Sequence, residues 1–261
     1  VSAGELRDLA LELADAADAV TLDAFARGPA SRTKADGTLV TAVDEAVEDL
    51  LRARIRAEFP DHRILGEESG AGGGDPEAPL WVLDPIDGTT NFVRGNPVFA
   101  TLIGVVVAGS DAVGVISAPA LGSRWDGIVG EGARQDGRPV RVSARDDLAA
   151  AEVAFGDLAP LEATRPGLIR ALSDRTWRQR AYGDFWNFGL VASGSTDLVV
   201  EGRLNHWDLS ACRAVILAAG GRVTDLDGVD RSDGGSAIAT NGRLHAVTLA
   251  VVASHRPPST P

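Results

Sequence analysis

Apolar residues recur at helical spacing in the first segment, at Leu6, Leu9, Leu13 and Val20, and again at Val43, Val47, Leu50, Leu51 and Ile55. An apolar position every three or four residues predicts two amphipathic helices, each with one buried face. Between them "RTKADGTLVTAVDE" supplies turn residues and then Thr41 in an N-cap position, with Asp44 three residues later as in a capping box. Two short apolar runs follow, "HRILGEES" and "LWVLDP", which read as strands that each end in carboxylates. The glycine-rich "SGAGGGDPEAP" between them reads as a mobile surface loop. From Val98 to Pro119 two apolar runs flank "AGSDA", a β-hairpin pattern, and short strand patterns around Ile128 and Val140 extend an antiparallel sheet. From Glu152 strand and helix alternate. "EVAF", "WRQRAY", "TDLVVEG", "GRVTDL" and "SAIATN" are strand-like, and "RPGLIRALSDR", "DFWNFGLVASG", "WDLSACRAVILAAGG" and "RLHAVTLAVV" are helix-like. No internal repeat is seen, and "SHRPPSTP" reads as a frayed tail.

Composition narrows the classes. The 261 residues suffice for one large domain or two modest ones, and 44% hydrophobic with 24% charged residues is an ordinary globular balance. A formal net charge of -12 argues against nucleic-acid or anionic-membrane partners, which need a positive field. Cys212 is the only cysteine, so there is no intrachain disulfide and no cysteine-based zinc site, as suits a reducing cytoplasm. The first twenty residues lack the basic start and continuous apolar core of a signal peptide, and the longest apolar run, Val98 to Ala108, is too short for a membrane span. The expectation is a cytoplasmic protein with no membrane partner.

Acidic residues gather at the ends of these elements: Asp44 at a helix start, Glu67 and Glu68 after one strand, Asp84 and Asp87 after another, and Asp208 in "HWDLSA". Each alone has a structural explanation, as a helix cap, a solvated strand end, a turn residue before glycine or a charge favoured by a helix dipole. Asp84, however, directly follows Trp81, Val82 and Leu83 and should be buried with Asp87 close by. Two desolvated carboxylates repel unless a cation or proton offsets them. A metal is the simplest solution, and an all-oxygen donor set without a histidine or cysteine cluster selects a hard cation such as Mg²⁺. Gly88 would let the backbone approach a ligand, and a helical turn from Thr89 would point free N–H groups at a phosphate. Bound divalent ions would also invert the local field for an anionic substrate.

"GEES", "WVLDPIDGTTNF" and "WDLSA...AAGG" resemble the three signatures of the inositol monophosphatase superfamily, and "KADGTLVTAVD" matches its N-terminal lysine and aspartate segment. The resemblance spans nearly the whole chain. It implies an α/β (α+β) fold, the layered αβαβα sandwich of the inositol monophosphatase and fructose-1,6-bisphosphatase type, commonly homodimeric. The halves would be residues 1–145, carrying most metal ligands, and 146–261, carrying Asp208 and the specificity residues, as one compact catalytic unit. The implied activity is a lithium-sensitive, Mg²⁺-dependent phosphomonoesterase acting on a small phosphorylated alcohol. Carried over by position, Glu67, Asp84 and the carbonyl of Ile86 would hold one Mg²⁺, Asp84, Asp87 and Asp208 a second, and Glu67 with waters a weaker third. Thr89, hydrogen-bonded to Asp44, would orient the attacking water, and the amides of Gly88 and Thr89 would hold the phosphate. Lys34 and Asp36 would belong to a flexible loop completing the third site.

Substrate selection falls to the second half. Glu201 stands where family members place a carboxylate for the substrate's hydroxyls or amine, and Asp184 in "RAYGDFWNF" occupies a stretch where the inositol-type members usually carry a small neutral pair after the glycine. Two carboxylates suit a cationic amine better than a neutral polyol, although Asp184 also fits a helix N-cap after Gly183. "VRGNPVFATLIG", "VGVISAPALGSRW", "RAYGDFWNFGLVA" and "GGSAIATNG" resemble most the histidinol-phosphate phosphatase branch of actinobacteria. The stretch after Trp125, "DGIVGEGARQDGRPVRVS", departs from that pattern and is expected to change a neighbouring pocket wall. Three readings stand: a histidinol-phosphate phosphatase; the same chemistry on inositol 1-phosphate, an aminocyclitol phosphate, 3'-phosphoadenosine 5'-phosphate or fructose 1,6-bisphosphate; and a non-catalytic binding protein of the same fold. The last should have lost a metal carboxylate or the Thr and Asp pair, and this sequence has all of them.

Overall fold

A computed structural model describes residues 1–34, 37–231 and 233–256. Helix α1 (Ala3–Arg27) begins at a capping box between Ser2 and Glu5. A short hairpin, β1 (Ser31–Thr33) and β2 (Leu39–Thr41), leads into α2 (Ala42–Glu58), where Thr41 and Asp44 form the capping box read from the sequence. The stripe residues Leu6, Leu13, Val47, Leu51 and Ile55 are buried against Trp81, Leu83, Val105 and Val115, and Leu9, Val20 and Val43 pack around their margin.

That apolar layer covers one face of an eight-stranded sheet. Its strands are β3 (Arg63–Gly66), β4 (Gly70–Gly72), β5 (Leu80–Asp87), β6 (Ala100–Val107), β7 (Ser110–Ala118), β8 (Ser123–Ile128), β9 (Gly132–Gln135) and β10 (Arg138–Val140). They lie in the order β10-β9-β8-β7-β6-β5-β3-β4, and a short helix, α3 (Thr89–Val93), leaves the end of β5. The hairpin around "AGSDA" is β6 with β7. Two expectations need correction. β3 and β5 run parallel, so this half is not purely antiparallel. The start of the glycine-rich stretch is not loop but edge strand β4, paired with β3. Glycine is used there because Arg52 of α2 crosses the strand and donates to the carbonyl of Gly70, leaving no room for a Cβ at Gly72.

The rest of the chain alternates β11 (Glu152–Phe155), α4 (Leu158–Thr164), α5 (Leu168–Ser173), β12 (Arg178–Arg180), α6 (Asp184–Ala192), β13 (Leu198–Asn205), α7 (His206–Ala218), β14 (Arg222–Thr224), β15 (Gly234–Thr240) and α8 (His245–Ala253). Its sheet has the order β12-β11-β13-β15-β14, parallel around β11 and antiparallel around β15. The pattern overlooked α4, whose Pro160 sits in the first turn, where a missing N–H costs nothing. Helices α6 and α7 fill the space between the sheets around Trp125, Phe185, Phe188 and Val215, while α4, α5 and α8 cover the outer face. The layers are therefore α1/α2, sheet, α6/α7, sheet and α4/α5/α8, an αβαβα sandwich. Residues 257–261 of the expected tail lie outside the described residues.

Helix α7 crosses the large sheet over a floor of glycines. Gly104 of β6 lies opposite Gly114 of β7, which lies opposite Gly127 of β8. A Cβ on Gly104 would overlap Ser210, one on Gly114 the carbonyl of Ala211, and one on Gly127 the Cβ of Ala218. Because the Gly114 contact is to backbone, Gly114→Ala is expected to destabilise the fold by about 1–3 kcal/mol through overpacking. Urea denaturation checks this; an unchanged midpoint would mean that α7 can lift without loss.

Candidate active site

The end of β5 and the start of α7 meet beside the glycine floor. One carboxylate oxygen each from Asp84, Asp87 and Asp208 lies within 4.8 Å of the other two. In a regular strand residues three apart face opposite ways, but the ladder between β5 and β6 shifts register between Asp84 and Asp87, and such an irregularity lets both reach one side. The Thr101 hydroxyl donates to the carbonyl of Pro85 at 2.8 Å and holds the irregular segment down. Asp208 arrives from the other half as the third residue of α7, its Oδ2 accepting from the amide of Asn205 at 2.7 Å.

The charges in this cluster oppose one another. Burial, then the carboxylates of Glu67, Asp87 and Asp208, push Asp84 well above the usual carboxylate range. Asp87 is raised likewise by burial and then by Asp184 and Asp208, against a hydrogen bond from the amide of Phe185 at 2.7 Å. Burial brings Asp208 to about 6 despite the opposing bond from Asn205. An all-oxygen set that resists ionisation until a cation arrives fits a hard divalent metal.

Glu67 lines the same cavity from the end of β3, and its Oε1 accepts from Lys34 Nζ at 2.8 Å while Glu68 accepts from the same ammonium at 2.7 Å. Burial works against the Lys34 charge, but the two carboxylates outweigh it and raise its pKa. Asp36, expected beside Lys34, lies outside the described residues. The segment carrying Glu67 is held by a residue the sequence reading missed. Glu48, fully buried on α2, accepts from the amides of Glu68 at 2.7 Å and Ser69 at 3.0 Å and from Arg52 Nε at 2.7 Å. The available signal was a carboxylate one turn after Asp44, inside the apolar stripe.

Asp44 makes the contacts that both of its alternative roles require. Its Oδ2 accepts from the amide and hydroxyl of Thr41 at 2.8 and 2.5 Å, completing the cap, and its Oδ1 lies 3.2 Å from Thr89 Oγ1. Thr89 Oγ1 is also 2.9 Å from the carbonyl of Ile86, so the Ile86 oxygen stands at the same junction. Gly88, with φ +82°, turns the chain from β5 into α3, and a Cβ there would press on the carbonyl of Val98.

These groups open into a cavity of about 580 Å³. Asp157, Tyr182, Asp184, Glu201 and Arg203 also line it, the last being the only basic side chain on its described lining. Asp184 makes no cap: Gly183 is the N-cap of α6, and Asp184 adopts φ +50°, unusual for a non-glycine residue, with its Oδ2 accepting from Asn91 at 2.8 Å. Burial and then Asp157 raise it to about 6. Glu201 is 6% exposed, accepts from Asn187 at 2.9 Å and is raised to about 8, chiefly by burial. Asn91 and Asn187 lie inside quoted signatures but drew no role there, and Asp157 and Arg203 had no motif to mark them. The altered stretch after Trp125 does not line the cavity among the described residues, contrary to expectation. It supports α6 from behind, through Trp125 Nε1 donating to Ser193 at 2.7 Å and Gln135 accepting from Ser193 at 2.8 Å.

Comparison with known proteins agrees with this geometry. The model of the inositol monophosphatase family matches residues 3–256. A histidinol-phosphatase of Mycobacterium tuberculosis is 46% identical over 250 residues, covering 92% of this chain and 95% of that protein. One of Streptomyces coelicolor is 42% identical, covering 91% and 92%. A solved structure of an IMPase from Thermotoga maritima superposes with a TM-score of 0.86 at 31% identity, covering 95% of this chain and 96% of that one. No helix among the described residues is long and apolar enough to cross a membrane. The chain belongs to the inositol monophosphatase family and is a metal-dependent phosphoric monoester hydrolase.

Proposed function

We propose that this chain is a Mg²⁺-dependent phosphatase that releases phosphate from L-histidinol phosphate. Glu67, Asp84 and the Ile86 carbonyl would hold one Mg²⁺, Asp84, Asp87 and Asp208 a second, and Glu67 a weaker third. When bound, Mg²⁺ supplies Lewis-acid polarisation of the phosphoryl oxygens, a more acidic attacking water and charge for the leaving alkoxide. The protein's own groups do the rest. Thr89 Oγ1, donating to Asp44 Oδ1, would accept a hydrogen bond from the attacking water, and as the water attacks its proton would pass to Thr89 while Thr89's own proton passes to Asp44. The amides of Gly88 and Thr89, at the start of α3, would hold the phosphate.

The observation that carries the substrate assignment is the pair Asp184 and Glu201, two carboxylates in the catalytic cavity beyond the metal set, each hydrogen-bonded to a neutral asparagine side chain. Like the metal carboxylates, they are raised chiefly by burial and then by neighbouring carboxylates. An ammonium group on the leaving alcohol satisfies them, and the similarity to two histidinol-phosphatases supports that choice. A charge-assisted bond of about 1.5–3 kcal/mol gives roughly ten- to hundredfold discrimination over a neutral alcohol. Glu201→Gln and Asp184→Asn are therefore expected to lower kcat/KM for histidinol phosphate by about that factor while sparing inositol 1-phosphate. Both carboxylates must be ionised to hold the amine, so KM for histidinol phosphate should fall as pH rises from about 6 to about 8. Phosphate release from the two substrates, measured side by side, decides the matter; a wild-type preference for inositol 1-phosphate would overturn the assignment.

A further inference from the structure

The geometry points to Asp111 as a positioning residue: it fixes α7 along its axis and thereby sets Asp208 against Asp84 and Asp87. This rests on the reading of Asp208 as a metal ligand. Asp111 lies on β7, two strands from β5, and its side chain is fully buried. Its Oδ1 accepts from Ser210 Oγ at 2.6 Å and its Oδ2 from Arg213 Nη1 at 2.6 Å, and Arg213 also pairs with Asp230. Ser210 and Arg213 are both on α7, Ser210 two residues beyond Asp208.

A directional lock is needed at this point. The helix rests on glycines and packs with Leu209, Cys212 and Val215, contacts that are apolar and tolerate sliding. Hydrogen bonds have preferred distances and angles, so a carboxylate gripping two side chains one turn apart fixes both the rotation and the axial position of the helix. The bond from Asn205 orients the Asp208 carboxylate on its helix but does not place that helix on the sheet. The strand ladders from β5 through β6 to β7 and the bond from Ser210 to Asp111 tie the sheet that carries Asp84 and Asp87 to the helix that carries Asp208.

Mg²⁺ itself is the probe. Ser210→Ala is expected to raise the Mg²⁺ concentration for half-maximal activity, and that for half-maximal thermal upshift, on the order of tenfold, as for other supporting contacts of metal ligands. Saturating Mg²⁺ should restore most of kcat, and substrate KM should not change. Asp111→Asn keeps an acceptor for Ser210 but loses the charge facing Arg213, so its midpoint should lie between wild type and Ser210→Ala. If Ser210→Ala lowers only the metal-free melting temperature and leaves both midpoints unchanged, the network is merely structural and the inference is overturned. Asp208→Asn separates the two levels. If it weakens Mg²⁺ while Ser210→Ala and Asp111→Asn do not, this inference alone fails; if it leaves Mg²⁺ dependence as in wild type, both fail.

Discussion

Asp87→Asn is expected to lower kcat by about 10²- to 10³-fold, the size of effect seen when one preorganised electrostatic contact to a transition state is removed. Asparagine keeps the shape, and its carbonyl oxygen can still accept from the Phe185 amide, so the local backbone should hold. What is lost is the negative charge shared with Asp84 and Asp208. Removing one of several mutually repelling buried carboxylates should leave the metal-free protein as stable as before or more so. The expected result is thus a nearly inactive enzyme with an unreduced melting temperature, read by phosphate release and thermal denaturation on one preparation. Turnover within a fewfold of wild type would remove Asp87 from the catalytic set.

The second large effect is expected at Thr89. Thr89→Val preserves shape and removes the hydroxyl between Asp44 and the Ile86 carbonyl, so kcat should fall by about 10²- to 10⁴-fold, the usual contribution of a positioned proton acceptor. KM and the Mg²⁺ midpoint should change little, because neither the phosphate amides nor the metal carboxylates are altered. Asp44→Asn is the sharper companion. As the N3 residue of the capping box it can still accept from the Thr41 amide through its oxygen, but its amide would then face Thr89 and donate where a carboxylate accepts. Stability should hold while kcat drops. An Asp44→Asn enzyme of normal turnover would leave Asp44 as a helix cap only.

Asp84 and Asp87 were legible in the sequence because two carboxylates ending an apolar strand conflict with its burial, and that conflict has few resolutions. Thr41 with Asp44 was legible for a different reason, since a capping box is a local pattern four residues long. The contact of Asp44 with Thr89 and the arrival of Asp208 beside Asp84 depend on how two distant segments pack, and without the family resemblance no periodicity could have joined them. Glu48 and Asn187 remained hidden because each is buried among residues that form ordinary apolar stripes, and Asp111 because it reads as a turn residue of "AGSDA"; satisfaction by particular partners is visible only in three dimensions. The glycine floor under α7 was equally silent: Gly104, Gly114 and Gly127 come from three strands, and only pairing register brings them side by side. Gly70–Gly72 misled for the converse reason, since glycine run as a loop signal outweighed a helix arginine that needs bare backbone beneath it.

The central claim, that these carboxylates form a divalent metal centre, is tested most directly by an anomalous difference map from crystals of the protein grown with Mn²⁺ in place of Mg²⁺, both being hard cations that favour oxygen ligands. The expected result is strong density in contact with Asp84, Asp87 and Asp208, with a further peak at Glu67 and Asp84, and loss of the first in Asp87→Asn crystals. Saturating Mn²⁺ that binds elsewhere on the protein and leaves these aspartates bare would contradict it.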